Sequence, residues 1–217
     1  MKKEFQKRIL SSFIIIPVAL FFVIKGSTFF NFFLSIFFLA TSYEWFKMTK
    51  KNSIKIFGIL YLFLAFYSAF LLRDNAGLNF FIFIIIICIF TDIGGYIFGK
   101  TFKGPKLTKI SPNKTYSGVI GSFILSVMAA SIFIQYQKSF TLFEIFILNN
   151  DEFSYILIIL FISAVSQIGD LIVSYFKRLA KIKNTGNLLP GHGGLLDRID
   201  GIIFAIPISY LLFMYLK

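Results

Sequence analysis

The sequence holds one cysteine, one histidine, one tryptophan and five prolines. A lone cysteine, Cys88, cannot form an intrachain disulfide, and its place inside an apolar run is explained by packing. A lone histidine, His192, remote from that cysteine in the chain, argues against a zinc site, which draws on several thiolates and imidazoles. Acidic residues are scarce, 10 against 22 lysines and arginines. Low-complexity linkers and stretches polar enough to form a soluble domain are missing. No internal repeat of the kind that marks many transporters is visible. The first apolar run follows basic residues as a signal peptide would. It lacks a small-residue cleavage site and so reads as a retained span.

What is abundant is apolar surface. Hydrophobic residues make up 57% of the chain, and its mean hydropathy is +0.81. A soluble domain is nearer about 45–50% apolar. The excess is spread over runs of bilayer length, about 20 residues each. Seven candidate spans result, near 9–25, 28–46, 54–72, 78–99, 117–137, 153–176 and 200–216. The runs are continuous and show no dyad alternation, so each must satisfy its own backbone, which predicts helices. The expected fold is all-α, a polytopic integral membrane helical bundle of about seven transmembrane helices. With the N-terminus inside, 18 of the 22 basic residues fall on the cytoplasmic side. That asymmetry predicts a cytoplasmic N-terminus and puts the two polar, glycine-containing loops, 100–116 and 177–199, on the cytoplasmic face. The net charge of +12 is thereby accounted for by loops between spans. A nucleic-acid binder is the weakest reading, because the basic residues alternate with spans and do not form one patch.

Two acids, Asp92 and Asp170, fall inside predicted spans, where a charge costs about 2.5–3.5 kcal/mol on insertion scales and needs a partner or a use. Glu44, beside Trp45 at an interface, fits a simpler picture of an acid paired with a nearby lysine. Ser166, Asp170, Ser174 and Lys177 share one helix face, which must turn to protein or to a water-filled cavity. Asp92, Tyr96 and Gly99 make a similar face, with Gly94 and Gly95 suited to close helix approach. Ser111-Pro112-Asn113-Lys114-Thr115 precedes a span. There a hydroxyl caps the helix, free N–H groups attract anions, and Lys114 adds a charge suited to phosphate. Pro190-Gly191-His192-Gly193-Gly194 cannot be regular helix. Its N–H groups are able to converge on an anion, although the turn does not match the nucleotide P-loop pattern. His192 is either a general acid or base or a loop-orienting residue. Asp197 and Asp200 bracket Arg198. Carboxylates without accompanying thiolates or imidazoles suit a hard cation, usually Mg²⁺ bridging substrate phosphates. Asp170 and Asp197 meet if the sixth and seventh spans pack antiparallel, with Lys177, Arg178 and Arg198 around a polyphosphate. These are the parts of a phosphoryl or nucleotidyl transfer site.

Ser174-Tyr175-Phe176-Lys177-Arg178, Lys183 and the run Leu189-Pro190-Gly191-His192-Gly193-Gly194-Leu195-Leu196-Asp197-Arg198-Ile199-Asp200 resemble the signature of the phosphatidate cytidylyltransferase (CDP-diacylglycerol synthase) family. Gln167 to Leu171, Asp92 with Gly95-Tyr96 and Gly99-Lys100, and Ser111 to Thr115 with Gly118 extend the resemblance over roughly residues 88–201. Asn184 stands where the family commonly has Asp, and Ser117 where an acid or amide is usual. The first half also looks shorter than in most relatives.

The resemblance implies transfer of CMP from CTP to phosphatidate, giving CDP-diacylglycerol and pyrophosphate for phospholipid synthesis. It implies N-terminal membrane helices over 1–87 and a catalytic membrane region over 88–217, within one polytopic domain. Mg²⁺ would be held by Asp170 and Asp197, with a second, monovalent cation such as K⁺ in the same site. Lys177, Arg178 and Arg198 would neutralise phosphate charge. Ser111, Lys114, Thr115, Asp92, Lys183, His192, Gly193, Gly194 and Asp200 would complete the substrate and phosphate contacts. It further implies a bacterial inner membrane, a site facing the cytoplasm, and a homodimer, for which the residues give no independent signal. Two other readings stand beside it. One is a CTP-dependent transferase acting on an isoprenoid acceptor. The other is a small ion- or proton-coupled transporter, which would more often carry its acids near the bilayer midplane.

Overall fold

The computed structural model describes residues 13, 17–108, 110–136, 152–189, 191 and 193–216. Seven named helices follow in order: α1 (Ser27–Met48), α2 (Asn52–Asn75), α3 (Gly77–Phe102), α4 (Tyr116–Tyr136), α5 (Glu152–Leu179), the single turn α6 (Leu196–Ile199) and α7 (Ile202–Leu216). Residues 17–25 are also helical and meet α1 at Gly26, whose φ of 65° breaks the helix. Helices α1 to α5 are each long and apolar enough to cross a membrane. Helix α7 has 15 residues and a length of about 22 Å, short of the roughly 30 Å hydrocarbon thickness. Six of the seven expected spans therefore coincide with helices, the last beginning two residues later than expected. Of the first, residues 17–25 are helical, and the part before them, residue 13 apart, lies outside the described residues. The chain is an all-helical polytopic membrane bundle.

Phenylalanine and isoleucine, mediocre helix formers in water, serve here because the bilayer offers their backbone no competing hydrogen bonds. Phe32, Leu39, Phe63 and Leu211 lie on the exterior, where lipid replaces water. Short turns at 49–51 and at Ala76 make successive helices antiparallel. The C-terminal ends of α1, α3 and α5 thus meet the N-terminal ends of α2, α4 and α7 at one end of the bundle. Two apolar clusters divide the core. The larger, with Phe30, Leu72, Phe81, Phe83, Ile84 and Ile162, fills the far end. The smaller, with Trp45, Leu62, Val173, Leu196 and Ile203, lies under the polar end.

Helices α3 and α4 are the most closely apposed pair. A Cβ on Gly94 would overlap the Gly121 carbonyl, and one on Gly118 would stand 2.8 Å from the Gly95 oxygen. Small residues let two backbones touch where the bilayer supplies no hydrophobic drive. A polar seam runs beside this contact. Thr91 and Ser163 share a hydrogen bond of 2.7 Å, and Ser122 donates to the Thr91 carbonyl at 2.7 Å.

Candidate active site

The chain between α3 and α4 forms the outer wall of a cavity of about 350 Å³ at the polar end. Thr115 caps α4, its hydroxyl accepting the Gly118 N–H at 3.1 Å, as the serine- and threonine-rich sequence there predicts. The turn is closed by Lys114 N–H to the Ser111 carbonyl at 3.0 Å and by Leu107 N–H to the Lys114 carbonyl at 2.8 Å. Ser111, Lys114 and Thr115 all line the cavity, with Asp92 and Tyr96 from α3.

The inner wall comes from α5 and the chain after it. Asp170, Lys177, Asp197 and Asp200 line it together, although 30 residues separate the first and last. Lys114 Nζ reaches across to Asp170 Oδ2 at 2.7 Å and to the Gln167 carbonyl at 3.2 Å. Ser174 donates to the other Asp170 oxygen at 3.2 Å, one helical turn along the polar face expected from the sequence. Lys177 Nζ lies 2.8 Å from Asp197 Oδ1 and 3.8 Å from Asp200 Oδ2. The second Asp197 oxygen accepts the N–H groups of Thr185 at 2.8 Å and Gly194 at 3.1 Å. Asp200 is buried, and that burial, reinforced by the nearby Asp170 charge and opposed by Lys177, holds its carboxyl well above the usual carboxylate range.

Other expected site residues lie outside this wall. Arg178 is exposed and donates to two backbone carbonyls, Ile110 at 3.3 Å and Ile182 at 3.2 Å, so it ties the outer loop to the inner one. Lys183 and Arg198 are exposed, and neither lines the cavity. His192 lies outside the described residues. Gly193 exchanges backbone hydrogen bonds with Leu189 at 3.0 and 3.2 Å, and its φ of 89° explains the glycine. The Gly194 N–H does reach an anion, and that anion is the protein's own Asp197 carboxylate; the next two N–H groups, of Leu195 and Leu196, reach a second carboxylate.

That second carboxylate is Glu44, and here the expectation of an interfacial acid paired with a lysine is corrected. Glu44 is 2% exposed, and among the described residues no basic side chain pairs with it. It accepts instead from Thr185 Oγ1 at 2.8 Å, Leu195 N–H at 2.9 Å and Leu196 N–H at 2.9 Å. Lys47, one turn along α1, made the simpler pairing plausible. The actual partners are 141 to 152 positions away, beyond the reach of any local pattern. Gly94 to Thr101 has the spacing of a nucleotide P-loop, but it lies wholly within α3, where its N–H groups belong to the helix.

Among the described residues, no group of three or more His, Cys, Asp and Glu side chains stands in a metal-ligating array. Mg²⁺ does not require one, because it is usually held by one or two carboxylates together with substrate phosphates. Asp170 and Asp197 offer hard oxygen donors, and each already has a cation, a lysine ammonium, against one oxygen. The donor set therefore fits a hard divalent cation.

A sequence model described as the cytidylyltransferase family matches residues 53–216. The chain is 39% identical over 140 residues to a phosphatidate cytidylyltransferase of Bacillus subtilis, covering 64% of this chain and 49% of that protein. It is 31% identical over 218 residues to one of Rickettsia conorii, covering 99% and 94%. It is 32% identical over 212 residues to one of Rickettsia bellii, covering 96% and 90%. The chain thus aligns with about half the length of the Bacillus relative and with nearly the whole of the two from Rickettsia.

Proposed function

Because the chain belongs to the cytidylyltransferase family, we propose that it transfers CMP from CTP to phosphatidate, giving CDP-diacylglycerol and pyrophosphate. The observation that carries this reading is one cavity, at the end of a membrane bundle, on which two lysines and four aspartates converge. In the reaction a phosphate oxygen of phosphatidate forms a bond to the α-phosphorus of CTP. The bond from that phosphorus to the β-phosphate oxygen breaks, and pyrophosphate leaves with the electron pair. Such a transfer asks for alignment and charge neutralisation more than for a protein nucleophile.

Lys114 on the outer wall and Lys177 on the inner wall are the cations this chain brings to the phosphates. Ser111 and Thr115 supply hydroxyls to the same wall as Lys114. Asp170 and Asp197 would hold Mg²⁺, which when bound neutralises triphosphate charge and stabilises the departing pyrophosphate. A second, monovalent cation such as K⁺ would fall to the remaining cavity carboxylates, Asp92 and Asp200. The site faces the cytoplasm, where CTP is made; the crowding of basic residues on the loops at this end supports that orientation. A cysteine at Asn187, which is exposed, tests it. Asn187→Cys should react with a membrane-impermeant thiol reagent only when the cytoplasmic face is accessible, and labelling from the outer face would overturn the orientation.

The reaction is tested in detergent micelles with labelled CTP. Lipid-extractable cytidine that depends on phosphatidate, on Mg²⁺ and on Asp197 is the expected result. Product with an isoprenoid phosphate and none with phosphatidate would overturn the acceptor. No lipid product from folded protein would overturn the reaction.

A further inference from the structure

The Glu44 carboxylate lies under the site and outside the cavity, and the reaction proposed above gives it no task. A carboxylate at this depth is costly unless fully hydrogen-bonded, and here three donors satisfy it. Those donors come from two places, Thr185 on one arm of the glycine turn and Leu195 with Leu196 on the other. The same two arms hold Asp197. The Thr185 N–H goes to Asp197 while its hydroxyl goes to Glu44. The Gly194 N–H goes to Asp197 while the next two N–H groups go to Glu44.

The turn is shaped around this carboxylate. A Cβ on Gly186 would stand 2.6 Å from one Glu44 oxygen, and a Cβ on Gly194 would stand 2.6 Å from the other. Glu44 itself is held firmly. The neighbouring Trp45 packs edge-on to Phe176 at 4.9 Å, sits over Gly58 and donates to the Ile54 carbonyl at 3.1 Å.

We propose that Glu44 is a positioning residue: it fixes both arms of the glycine turn to α1 and thereby sets where Asp197 presents its carboxylate. The proposal rests on the reading of Asp197 as a cation ligand in CMP transfer. Outer residues that orient a ligating carboxylate typically contribute about 10–100-fold to metal affinity or activity.

The test uses the full chain in micelles, with Glu44→Gln, Thr185→Val and Thr185→Ser. Two properties are read: the Mg²⁺ concentration for half-maximal rate, and the rate of tryptic cleavage after Lys181 and Lys183 in metal-free protein. Glu44→Gln is expected to raise the Mg²⁺ requirement by about 10–100-fold. It should also speed cleavage of the turn several-fold, with the thermal unfolding midpoint close to wild type. Thr185→Val, which removes one of the three bonds, should shift both readouts the same way by less, and Thr185→Ser should restore them. Wild-type cleavage and Mg²⁺ dependence in Glu44→Gln would overturn the proposal. So would a collapsed unfolding midpoint in Glu44→Gln accompanied by wild-type behaviour in Thr185→Val, which would make Glu44 an anchor of the fold alone. If wild type yields no lipid product, the reaction reading fails, and the cleavage rates still decide whether Glu44 holds the turn.

Discussion

The two ion pairs of the cavity hold their charges differently. In the outer pair, which joins the walls, Lys114 and Asp170 have side chains that are 24% and 28% exposed, with a serine and one carbonyl as further partners. On the inner side, Lys177 and Asp197 are each 9% exposed, and Asp200 is 11% exposed. Two backbone N–H groups fix the second Asp197 oxygen, and these sit in a turn that Glu44 fastens to α1. Asp197 is therefore set by the scaffold, whereas Asp170 and Lys114 keep some freedom to exchange partners. A transfer site needs both properties: a fixed reference for the cation, and side chains that can move onto a substrate's phosphates as they arrive.

The largest expected effect comes from breaking the inner pair. Lys177→Met leaves Asp197 and Asp200 facing each other without their cation. Removing one partner of a buried pair costs about 3–5 kcal/mol, so both stability and turnover should be lost. Lys114→Met breaks the outer pair, where partial exposure limits the stability cost to about 1 kcal/mol or less, while turnover still falls. Thermal unfolding in micelles, run beside the CMP-transfer assay, separates the two. Equal unfolding midpoints for the two variants would erase the distinction between the pairs.

The aspartates sharpen the same contrast. Asp170→Asn keeps the Ser174 hydrogen bond and should fold normally, with turnover reduced by at least about 100-fold if a cation ligand has been lost. Asp197→Asn should be as inactive and should also unfold earlier, because it disturbs the N–H cradle and the Lys177 pair together. Near-normal turnover in either variant would remove that residue from the cation site.

A smaller effect is expected from the support of the outer wall. Gly94→Ala would press a methyl group onto the Gly121 carbonyl and push α4 away from α3. Overpacking of this kind costs about 1–3 kcal/mol. Turnover should fall further than stability alone explains, since Asp92 and Lys114 sit on opposite sides of that contact. Unchanged stability would mean that the two helices have slack the glycines do not suggest.

Much of this architecture was legible because it is periodic or local. The spans follow from apolar run length, and their antiparallel order follows from short turns. Ser166, Asp170, Ser174 and Lys177 are spaced to share a face, and Thr115 caps α4 as a threonine before a helix does. The inner wall was legible only as a set of residues, because its geometry depends on contacts distant in sequence. No pattern near Glu44 announces partners beyond position 184, and its own helix offers a decoy in Lys47. In the glycine turn the Gly194 N–H meets a carboxylate while the Gly193 N–H meets a carbonyl. Which anion the turn meets was a tertiary matter, and α1 and α6 supply the carboxylates. Arg178 is a similar case. A basic residue beside a phosphate site invites a role on the phosphate, yet its guanidinium is directed at two carbonyls.

Arg178 carries the smallest effect and couples the walls. Its Nε donates to Ile110, just before the turn that holds Ser111 and Lys114, and its Nη1 donates to Ile182, at the start of the inner loop. Both bonds are exposed, and each contributes about 0.5–1.5 kcal/mol net. A lysine in its place has one ammonium and cannot span both carbonyls, so Arg178→Lys should let the outer loop drift relative to the inner one. Loss of one such bond corresponds to about a 2–10-fold rise in KM for CTP, while turnover stays within about two-fold of wild type. If turnover instead dropped by about 100-fold or more while KM held steady, the guanidinium would belong on the reacting phosphates, and the walls would then owe their spacing to the helices alone.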